Sequence, residues 1–197
     1  MNHDSGYHLL FSYPEMVADL LCHFVPEPWV EGLDFTTLKR VNAKLHADQL
    51  KRREGDVIYQ LRHREFGEIY IYLLLEFQSS TERWMAVRTM VYIGLLYQHL
   101  IRENQLTPDK KLPPVFPLVL YNGNAPWHSP MELSELIYNT GNTALNHWQP
   151  QLRYFLIQEN TYKNQKLNTL SGYLFQLENC QDIYQLNTIV GELGMST

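Results

Sequence analysis

Asp56, Glu76 and Gln78 are the residues whose types and spacing suggest chemistry. They lie within the segment EGDVIYQLRHREFGEIYIYLLLEFQSS, residues 54–80. This segment holds two runs rich in strand formers, Asp56 to Arg62 and Ile69 to Phe77, separated by a short polar stretch with Gly67. Strand alternation puts Ile69, Ile71, Leu73, Leu75 and Phe77 on one face of the second run, and Tyr70, Tyr72, Leu74, Glu76 and Gln78 on the other. In the first run Val57, Tyr59 and Leu61 sort against Asp56, Ile58, Gln60 and Arg62. One face is expected to be core and the other polar. A turn centred near Phe66 pairs residues whose numbers sum to about 132, which sets Asp56 opposite Glu76 on the polar face. Two carboxylates at roughly 5 Å repel by on the order of 3 kcal/mol at an effective dielectric of about 20, so a chain that keeps both calls for something positive between them. A divalent cation with oxygen ligands is the natural candidate. Gln78 points to the same side and can position a water or a phosphate oxygen. The competing reading is a pair of solvated acids at strand ends, which a register slip of one residue would produce.

The elements that must position these residues can be read outward from the hairpin. Pro14 suits the first turn of a helix, and Met16, Val17, Leu20, Leu21 and Phe24 recur at helical spacing before Pro26 and Pro28 end it. Glu15, in its first turn, complements the helix dipole. A first strand is expected near Leu38 to Val41, followed by the basic approach KRREG. After the hairpin, Ser79, Ser80 and Thr81 offer N-cap oxygens to a long helix whose apolar pattern runs from Trp84 to Leu100. Its amino end would face the carboxylates, where N–H groups and Ser80 could hold a phosphate. On that helix Arg88 and Tyr92, four apart, share a face: the guanidinium either takes a phosphate bidentately or stacks on the tyrosine for structural reasons. Val115 to Tyr121 reads as a buried strand ended by the turn Asn122 to Asn124, giving the order α-β-β-β-α-β. Beyond Ser129 the pattern suggests a short helix at Met131 to Tyr138, a strand at Tyr154 to Ile157, and helices at Lys166 to Leu177 and Asp182 to Leu193. These read as a cover for the sheet.

Composition sets bounds. At 197 residues with 45% hydrophobic content, the chain is expected to form a single domain, with a core over about 7–128 and an extension over about 129–197. No signal peptide or membrane-length apolar run is visible, which points to a soluble, cytoplasmic protein without a membrane partner. Cys22 and Cys180 lack zinc or disulfide spacing and read as buried thiols. The net charge of -5 argues weakly against nucleic acid, but its distribution is uneven. Between Lys39 and Arg64 there are eight Lys or Arg, Arg53 among them, against three acids; that balance of +5 leaves -10 on the rest. The basic stretch surrounds Asp56, where a phosphate backbone would arrive; equally, it could be a strand edge protected by Lys and Arg.

The hairpin with its D…E-x-Q pattern resembles the recombination-promoting nuclease / putative transposase family of the PD-(D/E)xK nuclease superfamily. Three further stretches are similar to that family and keep its order: HDSGYHLLF at His3 to Phe11, FQSSTERWMAVRTMVY at Phe77 to Tyr92, and PVFPLVLYNGNAPW at Pro114 to Trp127. The resemblance implies an α/β fold with a restriction-endonuclease-like core, a mixed central sheet flanked by helices, and extra C-terminal helices. It implies metal-dependent DNA endonuclease activity linked to recombination; with no base-reading motif visible, little sequence specificity is expected. Asp56, Glu76 and the backbone carbonyl of Phe77 would hold Mg2+, or else Mn2+ or Ca2+. Gln78 takes the place of the superfamily's usual Lys, so the metal and Arg88 carry more of the charge on the phosphate. Arg88 and Tyr92 resemble the Gln-x3-Tyr pattern that helps related sites hold DNA, and in some members a first-helix acid, here Glu15, also reaches the metal. Two other functions stay open: strand transfer by a transposase-like site, and a non-catalytic regulator, as a homodimer or with a longer relative.

Overall fold

The structure, a computed structural model, describes residues 3–41, 56–76, 81–162, 165 and 167–178. Two helices open it, α1 (His3–Leu10) and α2 (Pro14–Phe24), the second with Pro14 in its first turn, where the missing N–H costs nothing. A short 3-10 turn, Pro28–Gly32, leads into β1 (Leu33–Arg40). The hairpin follows as β2 (Val57–His63) and β3 (Gly67–Glu76). Helix α3 (Met85–Arg102) then crosses over to β4 (Val115–Tyr121). A one-turn helix α4 (Thr143–Asn146), a strand β5 (Phe155–Gln158) and α5 (Leu170–Glu178) complete the described elements.

The five strands form one mixed sheet in the order β1-β2-β3-β4-β5. β1, β2 and β3 are antiparallel, whereas β4 and β5 join parallel to β3, as a strand–helix–strand crossover requires. The region after 129 therefore contributes a strand to the sheet rather than only a cover. Within that region the short helix expected over Met131 to Tyr138 is present as a 3-10 helix, Leu133–Leu136. The helix expected at Asp182 to Leu193 lies outside the described residues, as do Cys180 and most of the basic stretch.

Both faces of the hairpin are buried. Val57, Tyr59, Leu61, Ile69, Ile71 and Leu73 share a core with α1, α2 and α5 through residues such as Tyr7, Leu20 and Phe175. Ile58, Tyr70, Tyr72 and Leu74 pack against α3 through Met85, Tyr92 and Leu96. The face expected to be polar is thus a second core, because the α3 crossover must lie over it.

The turn occupies 64–66, and Gly67 begins β3 with φ of +82°, a left-handed backbone that closes the short loop and suits glycine. His63 anchors it: its ring stacks on Phe66 at 3.7 Å, Nε2 lies 3.0 Å from the Trp29 carbonyl, and Nδ1 accepts from the Glu65 N–H. β2 and β3 then pair as Val57↔Leu73, Ile58↔Tyr72 and His63↔Gly67. The turn centre lies one residue earlier than expected, so the register differs by two. A shift of two keeps every side chain on its expected face. Cys22 is exposed, not a buried thiol, since the buried stripe of α2 runs through Val17, Leu20, Leu21 and Phe24 instead.

Candidate active site

Asp56 immediately precedes β2, and its side chain is 4% exposed, on the α3 face of the sheet. Continuing the register by one residue sets it opposite Leu74, not Glu76. Positions 72 and 76 of β3 are then its two diagonal neighbours on that face, a relation that spans about 7–8 Å. Of Glu76 the structure describes the backbone, which pairs with Tyr121 at the last described position of β3.

Among the described residues, two hold the Asp56 carboxylate. Tyr72 donates its hydroxyl to Oδ2 at 3.1 Å, and Nη2 of Arg88 donates to Oδ1 at 3.1 Å and lies 3.5 Å from Oδ2. Burial, followed by the adjacent Asp56 charge, drives the Tyr72 hydroxyl well above the ordinary tyrosine range, so it stays a neutral donor. Tyr92 completes the seat: its ring stacks on Tyr72 at 5.7 Å and lies under the Arg88 guanidinium, whose Cζ is 5.8 Å from the ring centroid. Arg88 is 11% exposed, so this ion pair is shielded from water. Among the described residues, the cationic group beside Asp56 comes from α3. The shared face of Arg88 and Tyr92 is confirmed, with the guanidinium engaged by both a carboxylate and a ring.

Glu15 occupies the first turn of α2 and is exposed; its charge acts on the Tyr59 hydroxyl, on the sheet face opposite Asp56. Gln78, Ser80, Arg53 and the Phe77 carbonyl lie outside the described residues. Helix α3 begins at Met85, with Trp84 as N-cap and no side-chain cap; the Glu82 carboxylate accepts from the Trp84 N–H at 3.1 Å. The helix start therefore lies further along the chain than the sequence suggested, with Trp84 and not Thr81 at the cap; Ser79 lies outside the described residues. Arg62, counted in the basic stretch, is paired with Glu68 on the neighbouring strand at 3.0 Å. Among the described residues, no group of three or more His, Cys, Asp or Glu could hold a metal ion by itself.

At the same end of the parallel strands, the loop after β4 is tied to β5. Asn160 donates to the Gly123 and Asn124 carbonyls, and Gln158 accepts from the Trp127 N–H.

The sequence profile of the family described as "Putative transposase, YhgA-like" matches residues 1–192. The chain belongs to this family. Similar to this YhgA-like chain are the recombination-promoting nuclease RpnA of Escherichia coli K12, 33% identical over 122 residues, and RpnD of Escherichia coli O157:H7, 29% identical over 128. Those alignments cover 61% and 64% of this chain but 40% and 48% of the relatives. Also similar, at 30% identity over 121 residues, is a K12 protein named an inactive recombination-promoting nuclease-like protein, RpnE; 61% of this chain and 39% of that protein are covered. The chain thus spans less than half the length of each of these relatives. No solved structure matches it.

For this YhgA-like chain, Tyr72 is the site residue that sequence reasoning passed over. Alternation set it on the Asp56 face, but a register two residues off moved it away from the carboxylate. The hairpin's true centre would have shown Tyr72 and Glu76 as equivalent diagonal neighbours of Asp56.

Proposed function

We propose that the chain is a DNA nuclease of the PD-(D/E)xK type. It hydrolyses phosphodiester bonds with a divalent cation and little sequence specificity, in the service of recombination. The observation that carries this reading is Asp56: a carboxylate buried at a sheet end, oriented by a hydroxyl and a guanidinium, on the same face as strand position 76. The names of RpnA and RpnD support it.

The donor set suits a hard cation, since carboxylate and carbonyl oxygens are what Mg2+, Mn2+ and Ca2+ take. Asp56, Glu76 and the Phe77 carbonyl would hold it. Bound there, the cation would lower the pKa of a water and offset charge on the phosphate. The protein's own groups do the rest. Tyr72 fixes the Asp56 carboxylate by a hydrogen bond to one oxygen. Arg88 supplies positive charge from α3, and Tyr92 holds the guanidinium plane. Gln78 would orient the attacking water, and Arg53 and Ser80 would contact the phosphate backbone.

The test uses supercoiled plasmid with wild type, Asp56→Asn and Glu76→Gln, each with Mg2+, Mn2+, Ca2+ or chelator. Nicking that needs the cation and falls by about a hundredfold or more in both variants is the expected outcome. Nicking that survives in chelator, or in both variants, sinks the proposal.

A second reading, a non-catalytic partner of a longer relative, is favoured by two observations. RpnE is named inactive, and Asp56 already has a counter-charge within the protein. Wild type that leaves DNA intact with every cation, yet co-elutes with a longer YhgA-like protein, would support it. Joined rather than nicked DNA would point to strand transfer.

A further inference from the structure

Between β4 and β5 the chain makes an excursion whose surface the nuclease reading does not use. Residues 137–152, IYNTGNTALNHWQPQL, contain no Asp, Glu, Lys or Arg, although 19% of the chain is charged. On this arm Tyr138 is 85% exposed, Trp148 82% and Leu145 47%. The arm is braced by its own amides and not by burial of those side chains. Asn139 accepts from the Gly141 N–H and the Asn146 amide, Asn142 accepts from the Leu145 N–H, and Gln149 donates to the Leu145 carbonyl. Gly141, with φ of +74°, takes the left-handed turn within this network. The two rings are thus presented to solvent on a hydrogen-bonded support.

The stalk of the arm forms part of a cleft. It closes through an antiparallel bridge between Glu132 and Arg153, where the Tyr154 N–H donates to the Met131 carbonyl. Beside it, toward the amino ends of β4 and β5, lies a cleft of about 400 Å3. Trp29, Phe116 and Phe155 line it, with the exposed Glu27, Met131 and Arg153. Trp29 meets Phe116 edge-on at 4.8 Å, and Phe116 lies 5.8 Å from Phe155, so one side is a wall of rings. We propose that two copies of this chain associate by exchanging their arms, Trp148 of each entering the aromatic cleft of the other.

The chemistry of arm and cleft is complementary. An indole offers a flat apolar face to the ring wall, its N–H finds an acceptor in Glu27, and Arg153 can lie over its π face. Charge selects a second copy as the occupant. Each copy carries a net charge of -5, so copies repel where acidic surfaces meet, and an arm with neither acid nor Lys or Arg is where they approach at least cost. Depletion of charge with exposed Trp and Tyr also marks the centre of a protein interface, whereas a nucleic-acid groove needs cations along the phosphate path. The area suffices as well. Two aromatic side chains bury roughly 150–250 Å2 each, so both arms and the surfaces that receive them would hide on the order of 1,200–1,600 Å2, the size of a stable interface. A reciprocal exchange about a two-fold axis uses each arm and each cleft once, which closes the assembly at two copies. None of these residues belongs to the Asp56 seat, and the association would stand whether or not the chain cuts DNA.

Sedimentation velocity of the full chain at about 1 to 100 μM reads the association, and wild type should form dimers in this range. Trp148→Ala, at a position already exposed, should keep the circular dichroism of wild type and raise the dimer dissociation constant about tenfold or more. Met131→Trp fills the mouth of the cleft from an exposed position and should do the same. Neither variant can complete a contact with itself, but the cleft of one can take Trp148 of the other. An equimolar mixture should therefore dimerise more tightly than either variant alone. Raising salt from about 50 to 500 mM should not weaken the wild-type dimer, since no ion pair forms across it and screening eases the repulsion between copies. Monomer at every concentration, a dimer indifferent to Trp148→Ala, a mixture no tighter than its components, or association lost in high salt overturns the proposal. So does a monomer that binds a single-stranded oligonucleotide through Trp148, which would make the arm a platform for stacking bases.

Discussion

Asp56 and Arg88 leave 4% and 11% of their side chains exposed, so removing either leaves a charge that water reaches poorly. Breaking such a pair from one side usually costs about 3–5 kcal/mol, because the remaining ion is uncompensated. Arg88→Ala should lower stability by that amount in chelator, as urea denaturation would show. The Arg62–Glu68 pair makes the contrast, with side chains 68% and 37% exposed: Arg62→Ala should change stability by less than about 1 kcal/mol. Equal effects at the two sites would mean that Asp56 and Arg88 are not buried together in solution. Tyr72→Phe removes one hydrogen bond to a charged acceptor and leaves the ring stacked on Tyr92, a loss of about 1.5–3 kcal/mol by the same measurement. At this scale the residue types were legible but their partners were not. Asp56, Arg88 and Tyr92 could all be singled out, yet that Arg88 meets Asp56 depends on how α3 lies across the sheet, which no local pattern encodes.

The hairpin is where an element decides the chemistry, since its register determines which β3 residues flank Asp56. Gly67 holds that register with φ of +82° and nothing within 4 Å of where a Cβ would stand, so strain, not crowding, governs substitution there. Gly67→Ala should cost about 1–2 kcal/mol and Gly67→Asn less, because asparagine tolerates the left-handed region. Urea melts of the two variants would test this, and an alanine as stable as wild type would mean the turn is built differently. Elements with strong local signals were legible. Pro14 and the apolar stripe marked α2, and the unbroken run from Val115 to Tyr121 marked β4, both at their observed limits. The turn centre was not, because REF and FGE are equally polar and either could close the loop. A one-residue error there becomes two in register, which preserves the face of every residue but swaps its neighbours. The start of α3 was misplaced for a related reason. Three hydroxyl residues at 79–81 looked like caps, whereas the helix begins after Trp84, with its opening turn stabilised by the Glu82 carboxylate.

Across the whole molecule, the sheet separates two apolar layers, and buried tyrosines stand in both: Tyr59 on the α2 side, Tyr70 and Tyr154 on the α3 side. That the second layer exists was hidden in the sequence, because Tyr70 and Tyr72 read as polar-face residues until α3 covers them. Their burial leads to a prediction that tests the layering itself. Burial pushes each of the three hydroxyls up to about 12, from an ordinary value near 10. The unfolded chain then loses these protons first as pH rises. Between about pH 10 and 12 it holds fewer protons than the folded protein, so stability must fall with pH across that window. Below pH 10 both states keep the protons, and these groups contribute no slope. Denaturation series from pH 8 to pH 11.5 should therefore show a plateau followed by a decline. Tyr59→Phe and Tyr70→Phe should each make the decline shallower, because each removes one proton that the folded state retains. Tyr59 donates to the Phe11 carbonyl and Tyr70 to Gln105, so both variants begin less stable, and the slope, not the starting value, carries the test. A decline unchanged in the Tyr70 variant but shallower in the Tyr59 variant would mean that α3 does not seal its face, and the seat around Asp56 would then lie open to water.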